Sequence, residues 1–418
     1  MRALLLHPEL TADSTRRNAF DAMSEGQSLA SALGDITLVH SQIVRLRVPQ
    51  AGLLFGKGKL EEISSLIAEH EIGLVLVNGA VTPIQQRNLE RHWKVKLLDR
   101  TGLILEIFAA RARTREGVLQ VELAALDYQK TRLVRSWTHL ERQRGGLGFV
   151  GGAGETQIEA DRRAIDDAIV RLKRQLSKVV KTRELHRAAR KKVPYPVVAL
   201  VGYTNAGKST LFNALTGADV ISKDMVFATL DPTMRAVRLG TGLEVILSDT
   251  VGFISDLPTS LVAAFRATLE EVLEADLVLH VRDISHQETE RQAADVAEVL
   301  EDLGLGAEAR ETFVEVWNKI DQLSDEDRST ALNNASRHDN IVAVSAIEGS
   351  GLTDLVHRIE VGITPERHQS HLQLAHSEGH RRAWLYQHAE VLSEESSDKG
   401  IKLKVLWSQV DEARFGSI

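Results

Sequence analysis

The chain has 418 residues, of which 43% are hydrophobic and 26% are charged, and its formal net charge is −7. This length predicts two to four domains, and the lack of cysteine excludes disulfides, thiolate zinc sites and a cysteine nucleophile. No apolar run approaches the roughly 18 residues of a membrane span, and the start of the chain lacks a signal-peptide core. We therefore expect a cytoplasmic protein with no stable membrane insertion.

Residues 1–112 alternate short apolar runs with helical patterns, which predicts an N-terminal α/β domain with a mostly parallel sheet. The predicted strands are 2–6, 36–40, 74–77 and 95–98, and the predicted helices are 60–69, 83–92 and 102–112. The segment Phe55–Lys59 superficially resembles a phosphate loop but lacks its full spacing. A basic turn before a helix is therefore favoured over a second nucleotide site.

Residues 113–193 are predicted to form a basic helical hairpin. The stretch 111–192 holds 20 Lys and Arg against 10 Asp and Glu, so it is positive although the whole chain is negative. Apolar side chains recur at alternating spacings of three and four from Leu119 and again from Ile158, which indicates two helices packed side by side. Between them, residues 144–154 contain six glycines, so we expect the chain to reverse there.

The tip of this hairpin carries residue types suited to RNA. Guanidinium groups can contact phosphates, aromatic rings can stack on unpaired bases, and bare glycine backbone can enter a narrow space. The candidate RNA contacts are Arg142, Arg144, Gly145, Gly146, Phe149, Arg162 and Arg163. On this segment alone, a plain hairpin with a solvated charged face explains the pattern equally well. The nucleotide motif that follows in the chain favours RNA.

A phosphate-loop motif, Gly-x4-Gly-Lys-Ser, lies near the start of the predicted GTPase domain, 194–367. An apolar strand precedes the motif and a helix pattern follows it, as the motif requires. Backbone N–H groups at the glycines can face phosphate oxygens, Lys208 offers a cation to the β- and γ-phosphates, and Ser209 offers a hydroxyl to Mg2+. The predicted contacts are Gly202, Tyr203, Thr204, Asn205, Ala206, Gly207, Lys208, Ser209 and Thr210. A nucleoside triphosphate is the predicted ligand.

Three later segments indicate which base the nucleotide site recognises. Asp249-Thr250-Val251-Gly252 follows an apolar strand and suits a carboxylate near Mg2+ and a glycine N–H that meets the γ-phosphate. In Asn318-Lys319-Ile320-Asp321, the last carboxylate can accept hydrogen bonds from N1–H and the 2-amino group of guanine. Val344-Ser345-Ala346 offers backbone groups to the guanine O6. All three in this order, each at the carboxyl end of a predicted strand, predict GTP rather than ATP and argue against a phosphotransferase.

The segment between the phosphate loop and Asp249 should carry the mobile threonine of a GTPase, whose hydroxyl reaches Mg2+ only when the γ-phosphate is present. Thr229 is favoured over Thr233 for this role. The predicted nucleotide contacts here are Phe227, Ala228, Thr229, Leu230 and Asp231. The predicted metal ligands are Ser209 and Thr229, and the predicted catalytic residues are Lys208, Thr229 and Gly252.

Phe253 stands where many GTPases carry the glutamine that orients the attacking water. Phenylalanine cannot orient or activate water, so we expect slow intrinsic hydrolysis unless another group completes the site. Asn205 matches a position that helps to hold a monovalent cation in K+-stimulated GTPases. This match motivates a hypothesis of K+ stimulation.

Residues 368–418 are predicted to form a small C-terminal α+β domain, with a helix near 381–392 and a strand near 401–407. The five histidines from His368 to His388 lack a ligand spacing typical of zinc, so surface histidines are the favoured interpretation. The predicted fold class is therefore α/β: a P-loop GTPase domain with an N-terminal α/β domain, a long two-helix hairpin and a small C-terminal α/β domain.

Six segments together resemble HflX-type GTPases, which are P-loop GTPases related to translation factors: 55–60, 145–161, 202–210, 227–232, 249–253 and 318–321. The glycine-rich tip followed by Glu155-Thr156-Gln157 is the most specific of them. The resemblance implies a bacterial GTPase that binds the 50S ribosomal subunit and its rRNA and hydrolyses GTP with Mg2+ held by Ser209 and Thr229. It also implies action in the rescue of stalled ribosomes, by separating their subunits, or in ribosome biogenesis.

The resemblance also implies that the helical hairpin, 113–193, enters the peptidyl-transferase region of the ribosome. We expect the protein to be a monomer when it is not bound to the ribosome. A hydrophobic residue replaces the glutamine in that family too, as Phe253 does here. One departure is Ala153, where the family commonly has proline between the two glycines, so the tip should be looser. An alternative left open is a GTP-regulated protein that binds or remodels RNA without separating subunits.

Overall fold

The computed structural model describes residues 1–11, 17–143, 153–190, 195–217, 226–227, 233–255, 272–310, 312–364, 367–397 and 400–416. The chain forms two compact units, Met1–Leu355 and Val356–Ile418. In the described ranges, no helix is both long enough and apolar enough to cross a membrane.

The first unit begins with a four-stranded parallel sheet of order β2-β1-β3-β4. Its strands are β1 (Arg2–Leu10), β2 (Thr37–Leu46), β3 (Leu74–Val77) and β4 (Lys96–Asp99). Its helices are α1 (Ala19–Ser31), α2 (Lys57–Glu69), α3 (Pro83–Trp93) and α4 (Arg100–Arg111). All four residues of β3 are buried, as expected for a parallel strand covered on both faces. The predicted parallel α/β layer is confirmed, and α1 is an additional helix that the sequence pattern did not indicate.

Local capping explains where several of these helices begin. The Thr82 hydroxyl accepts from the Gln85 backbone N–H while the Gln85 side chain accepts from the Thr82 N–H, which forms a capping box before α3. Pro83 occupies the first turn, where its missing N–H costs nothing. Asp99 caps α4 by accepting from the Gly102 N–H at 2.9 Å.

Two long helices follow, α5 (Arg115–Gln143) and α6 (Ala153–Arg190), and they pack against each other. Lys130 of α5 forms an ion pair with Asp166 of α6. Ile169 is buried in α6, whereas Arg162 and Arg163 are exposed. The second helix begins at Ala153, which falls within the last two residues of the stretch 144–154 where the sequence predicts a reversal. The glycine-rich stretch 144–152 lies outside the described residues.

The second sheet of this unit has six strands in the order β10-β9-β8-β5-β7-β6. They are β5 (Val197–Gly202), β6 (Thr233–Arg238), β7 (Glu244–Asp249), β8 (Leu277–Asp283), β9 (Val314–Asn318) and β10 (Ile341–Ala343). Every pairing is parallel except that of β6 with β7. The predicted phosphate loop and the two predicted base-recognition segments therefore follow strands whose carboxyl ends share one edge.

The described helices of this part of the chain are α7 (Lys208–Thr216), α8 (Thr289–Asp302), α9 (Ala307–Arg310), a 3-10 turn (Ile320–Gln322) and α10 (Asp325–Ala335). Helix α11 (Leu352–Ile363) begins in the first unit and continues into the second. One hydrophobic cluster runs continuously from the first sheet's helices into this layer. It contains Leu29 of α1, Phe108 of α4 and Val121 of α5 together with Phe227 and Phe253. Burying one side chain of this size stabilises the folded chain by about 1.5–3 kcal/mol. The two layers and the first turns of α5 are therefore packed as one body.

The second unit contains an antiparallel sheet of order β11-β13-β12. Its elements are β11 (Arg367–Leu374), α12 (Gly379–His388), β12 (Glu390–Ser397), β13 (Gly400–Ser408) and α13 (Gln409–Gly416). Its core is built around Leu385, Val405 and Trp407. The sequence pattern indicated only α12, extended too far, and the central strand β13. Among the described residues, no three His, Cys, Asp or Glu side chains are grouped to hold a metal.

Candidate nucleotide site

The loop between β5 and α7 can be built only with glycine at two positions. Gly202 has φ +151°, and a Cβ there would lie 2.2 Å from the carbonyl oxygen of Val281 on the neighbouring strand. Gly207 has φ +92°, and a Cβ there would lie 2.2 Å from Asn318 Nδ2. Both values belong to backbone that side-chain-bearing residues rarely adopt. The loop therefore passes very close to β8 and to the last residue of β9.

Lys208 is buried at the first position of α7, 6% exposed. Its ammonium group donates to the carbonyl oxygens of Gly202 at 3.0 Å and Tyr203 at 2.9 Å. Burial lowers the pKa of Lys208 to about 8, and the nearby Asp249 carboxylate opposes that shift. A phosphate oxygen in this loop is the kind of anion that would favour the charged ammonium.

Two oxygen groups meet beside this lysine. Ser209 Oγ donates to Asp249 Oδ2 at 2.7 Å, and Asp249 is fully buried. Hydroxyl and carboxylate oxygens are the hard ligands that Mg2+ prefers, so these residues fit the metal that the sequence predicts. Gly252 lies close by, since a Cβ on it would be 3.1 Å from Lys208 Nζ. The Thr250 hydroxyl donates to the Leu200 carbonyl at 2.6 Å and ties β7 to β5.

Asn318 links the phosphate loop to the predicted base-recognition segments. Its Nδ2 donates to the Ala206 carbonyl at 2.9 Å, and its Oδ1 accepts from the Ala346 N–H at 3.1 Å. Asp321 Oδ1 accepts from the Ser345 hydroxyl at 2.6 Å. Because these contacts join segments far apart in sequence, the phosphate loop, the segment after β9 and the segment after β10 form one continuous rim.

Lys319 has an electrostatic partner that sequence reasoning missed. Its backbone is left-handed, with φ +68°, and its ammonium lies 2.8 Å from Asp283 Oδ2 at the end of β8. Asp283 therefore fixes the lysine of the Asn-Lys-x-Asp motif. Its place just after the mostly apolar stretch 277–281 was the only signal available in the sequence.

Several predicted contacts have side chains that point into the core and can reach a ligand only through the backbone. These are Phe227, Val251, Ile320 and Val344, each 4% exposed or less. Tyr203, Thr204 and Ala206 are also buried, whereas Asn205 is exposed with φ +62° and Thr210 is half-buried.

Other predicted site residues lie outside the described part of the chain: Ala228, Thr229, Leu230, Asp231, Arg144, Gly145, Gly146 and Phe149. The side chain of Arg142 lies outside it as well.

Phe253, which stands in place of the usual glutamine, is 1% exposed and packs in the core. Its N–H donates to the Gly202 carbonyl at 3.1 Å, and its carbonyl accepts from the Thr204 N–H at 2.6 Å. The segment after Gly252 is therefore hydrogen-bonded to the phosphate loop like an added strand. Phe253 contributes packing there, with no polar side-chain atom to offer to water.

A buried polar network that sequence reasoning also missed surrounds Tyr203. Its hydroxyl is bonded to the Glu25 carboxylate and lies 2.7 Å from Ser255 Oγ. Arg100 donates to Glu25 at 3.0 Å and to the Ser255 carbonyl at 2.9 Å. Burial would raise the pKa of Glu25, but Arg100 and Arg17 hold it below its usual value. The N-terminal layer is thus bonded both to the phosphate loop and to the segment that follows Gly252.

Comparison with known proteins finds matches over most of the chain. Family models match residues 21–109 (GTP-binding GTPase N-terminal), 111–190 (GTP-binding GTPase middle region), 197–319 (50S ribosome-binding GTPase) and 330–415 (HflX C-terminal domain). GTPase HflX of Magnetococcus marinus is 53% identical over 359 residues, which cover 85% of this chain and 80% of that relative.

The chain belongs to the HflX family of GTPases. GTPase HflX of Escherichia coli K12 is 42% identical over 417 residues, covering 99% of this chain and 95% of the relative. A crystal structure of SsGBP with GDP shares the fold, with a TM-score of 0.52 and 23% identity over 86% of this chain and 98% of that one. Membership of HflX makes this chain a GTPase, and its domain at 197–319 is of the 50S ribosome-binding type.

Proposed function

We propose that this HflX-family GTPase uses its triphosphate state to associate with the 50S ribosomal subunit and to separate the subunits of stalled ribosomes in the cytoplasm. The observation that carries the proposal is the rim organised by Asn318, which joins the phosphate loop at Ala206 to the segments of Asp321 and Ser345. A single binding event there can sense both base and phosphates. We also propose that the chain divides functionally at 1–112, 113–193, 194–367 and 368–418.

Phosphate binding falls to the loop Gly202–Ser209 in this proposal. Its N–H groups and the amino end of α7 favour an anion, and Lys208 would exchange its carbonyl partners for phosphate oxygens. Ser209 and Thr229 would hold Mg2+, which neutralises developing charge on the transferred phosphoryl group. The Gly252 N–H would meet the γ-phosphate. K+ stimulation through Asn205 stays a prediction.

Hydrolysis should be slow in the isolated protein. Phe253 has no polar side-chain atom and is buried, so no side chain at that position orients water. A ribosome-supplied or repositioned group that completes the site would raise the rate. This arrangement suits a factor whose hydrolysis is stimulated only after it has bound its target.

The hairpin α5–α6 is the proposed ribosomal contact. Its exposed Arg162 and Arg163 and the glycine-rich tip would face rRNA, where phosphate contacts dominate affinity. A monomer carrying one such arm is sufficient for this role. The second candidate function is that of a protein that binds or remodels RNA. It would use the same hairpin for contact with RNA but would not separate ribosomal subunits.

Light scattering of 70S particles tests the proposed function. With GTP or a non-hydrolysable analogue we expect the protein to lower scattering by separating subunits, and with GDP we expect little change.

Deletion of residues 145–154 tests the role of the hairpin tip. We expect the variant to bind GTP within about twofold of the wild-type affinity. Its ribosome-stimulated hydrolysis rate should fall at least about tenfold, because the tip supplies RNA contacts. Unchanged scattering in every nucleotide state would favour the second candidate, and unchanged stimulation after the deletion would contradict the role of the arm.

A further inference from the structure

The last residue of α4, Arg111, is bonded to the chain just before the predicted mobile threonine. Its Nη1 donates to the carbonyl oxygen of Val226 at 2.6 Å and also to that of Phe227. Its Nη2 donates to the Ala32 carbonyl, at the end of α1, at 3.3 Å. One planar guanidinium group therefore clamps two consecutive carbonyls of the loop against the N-terminal layer, which its fixed fork of donors allows.

The side chain of Phe227 is anchored at the same place. It is 2% exposed, and its ring meets the ring of Phe108 edge-on, with centroids 4.6 Å apart and an interplanar angle of 73°. Edge-to-face pairs of this kind are favourable beyond their buried area. Phe227 also has φ +56°, a left-handed conformation that an aromatic residue rarely adopts. Such a conformation persists only where the surroundings impose it, and strained positions cluster at switch regions.

The same packing reaches the root of the hairpin. Arg111 precedes the first residue of α5, Arg115, by only four residues. Val121 and Ala124 of α5 are buried in the hydrophobic cluster that contains Phe108 and Phe227. A shift of the loop at Phe227 would therefore disturb the packing against which the first helix of the hairpin rests.

Chain length limits how far the neighbouring threonine can be from this anchor. Thr229 follows Phe227 by two residues in the sequence, and two residues of fully extended chain span at most about 7 Å. Anchoring Phe227 thus restricts where the Thr229 hydroxyl can go.

We propose that Arg111 is a positioning residue for the GTPase site, and that the contact of Arg111 and Phe108 with Phe227 is the joint that couples the nucleotide state to the hairpin. The inference rests on the proposed function, because it assigns the hairpin a nucleotide-dependent partner. In the triphosphate state the joint holds Phe227 so that Thr229 can reach the metal and the γ-phosphate. Diphosphate binding does not need that threonine, so it is independent of the joint.

Release of fluorescent nucleotides in the presence of Mg2+ and without ribosomes tests the positioning role. For Arg111→Ala we expect a non-hydrolysable GTP analogue to leave about tenfold faster, which is the loss of one or two charge-assisted hydrogen bonds. GDP release should change less than about twofold. Arg111→Lys, which keeps a cation that can reach a carbonyl, should restore part of the difference. Arg115→Ala removes an exposed arginine from the same stretch and should alter neither rate.

A purely structural role for Arg111 predicts a different result. Loosened packing would accelerate the release of both nucleotides equally, and that outcome would overturn the proposal. Phe227→Leu provides a second variant should Arg111→Ala fail to fold, because leucine keeps most of the buried volume but loses the edge-to-face ring contact. It should also speed analogue release selectively, and equal acceleration of both nucleotides would again count against the joint.

Binding to 50S subunits tests the coupling. The wild-type chain should bind 50S subunits more tightly with the GTP analogue than with GDP. Arg111→Ala should lower the ratio of these two affinities about tenfold, and Arg115→Ala should leave the ratio unchanged. If the wild-type chain ignores 50S subunits in both states, the proposed function fails, and the release rates still decide the positioning role. If wild type and Arg111→Ala show the same nucleotide preference and the same release ratio, the joint is refuted.

Discussion

Asp321→Asn should exchange the base preference of this GTPase from guanine to xanthine. An asparagine amide presents one acceptor and one donor where the carboxylate presents two acceptors, so it matches N1–H and the 2-oxo group of xanthine but not the 2-amino group of guanine. A site left with mismatched buried hydrogen-bonding groups discriminates strongly, and we expect GTP affinity to fall on the order of 1,000-fold while XTP affinity rises. Displacement of a bound fluorescent nucleotide by GTP, XTP or ATP measures the affinity of the site for each base.

The structure explains why this variant should still fold. Asp321 Oδ1 is bonded to the Ser345 hydroxyl at 2.6 Å, and a hydroxyl can turn to donate to or accept from an amide. Asp325→Asn, the same chemical change at the exposed start of α10, is the matched control and should leave base choice intact. A guanine preference that survives Asp321→Asn would show that another group reads the base.

Gly207→Ala should lower GTP affinity by more than about 100-fold. The new Cβ would lie 2.2 Å from Asn318 Nδ2, and φ +92° is itself unfavourable for alanine. Asn318 cannot simply turn away, because its Nδ2 is bonded to the Ala206 carbonyl and its Oδ1 to the Ala346 N–H. Losing those two bonds and straining the loop together account for the expected factor. Equilibrium titration with fluorescent GDP and GTP analogues is the measurement.

Gly217→Ala separates this effect from the general cost of replacing a left-handed glycine. Gly217 has φ +63° at the end of the same helix, α7, but a Cβ there would meet nothing within 4 Å. This variant should lose about 1 kcal/mol of unfolding free energy and keep its nucleotide affinity. Equal losses of affinity in the two glycine variants would mean that backbone strain, rather than the contact with Asn318, governs the site.

The residues that are expected to bind phosphate and metal were predictable from sequence because they belong to short motifs with fixed spacing. The glycines of the phosphate loop, Lys208 and the carboxylate of Asp249 occupy fixed offsets after apolar strands, and parallel strands bring such ends together. The long helices α5 and α6 were equally plain, since apolar spacing over many turns is a strong signal. Sequence reasoning also anticipated the parallel N-terminal sheet.

Contacts between distant segments were not predictable in this way. Tyr203 meets Glu25 and Arg111 meets Phe227 across more than 100 residues, and no periodicity links such partners. Helix α1 was missed because it contains Gly26, which disfavours a helix by propensity. The structure shows its tertiary reason: a Cβ on Gly26 would lie 2.8 Å from Asn78 Nδ2, so α1 needs glycine to pack.

The second unit shows the same limit for strands. Strands β11 and β12 are rich in polar and charged residues, and β12 reads Glu-Val-Leu-Ser-Glu-Glu-Ser-Ser. Such segments have low strand propensity, and they become strands because they pair on either side of β13, which alternates buried apolar residues with lysines. Only the central strand, with its buried Val405 and Trp407, carried a pattern visible in the sequence.

Co-sedimentation with purified 50S particles is the most direct test of the proposed nucleotide-governed association with large ribosomal subunits. We predict that the protein pellets with 50S subunits in the presence of a non-hydrolysable GTP analogue, that GDP weakens this association, and that binding falls steeply as salt rises. Sedimentation apart from 50S subunits with either nucleotide, at low as well as moderate salt, would contradict it.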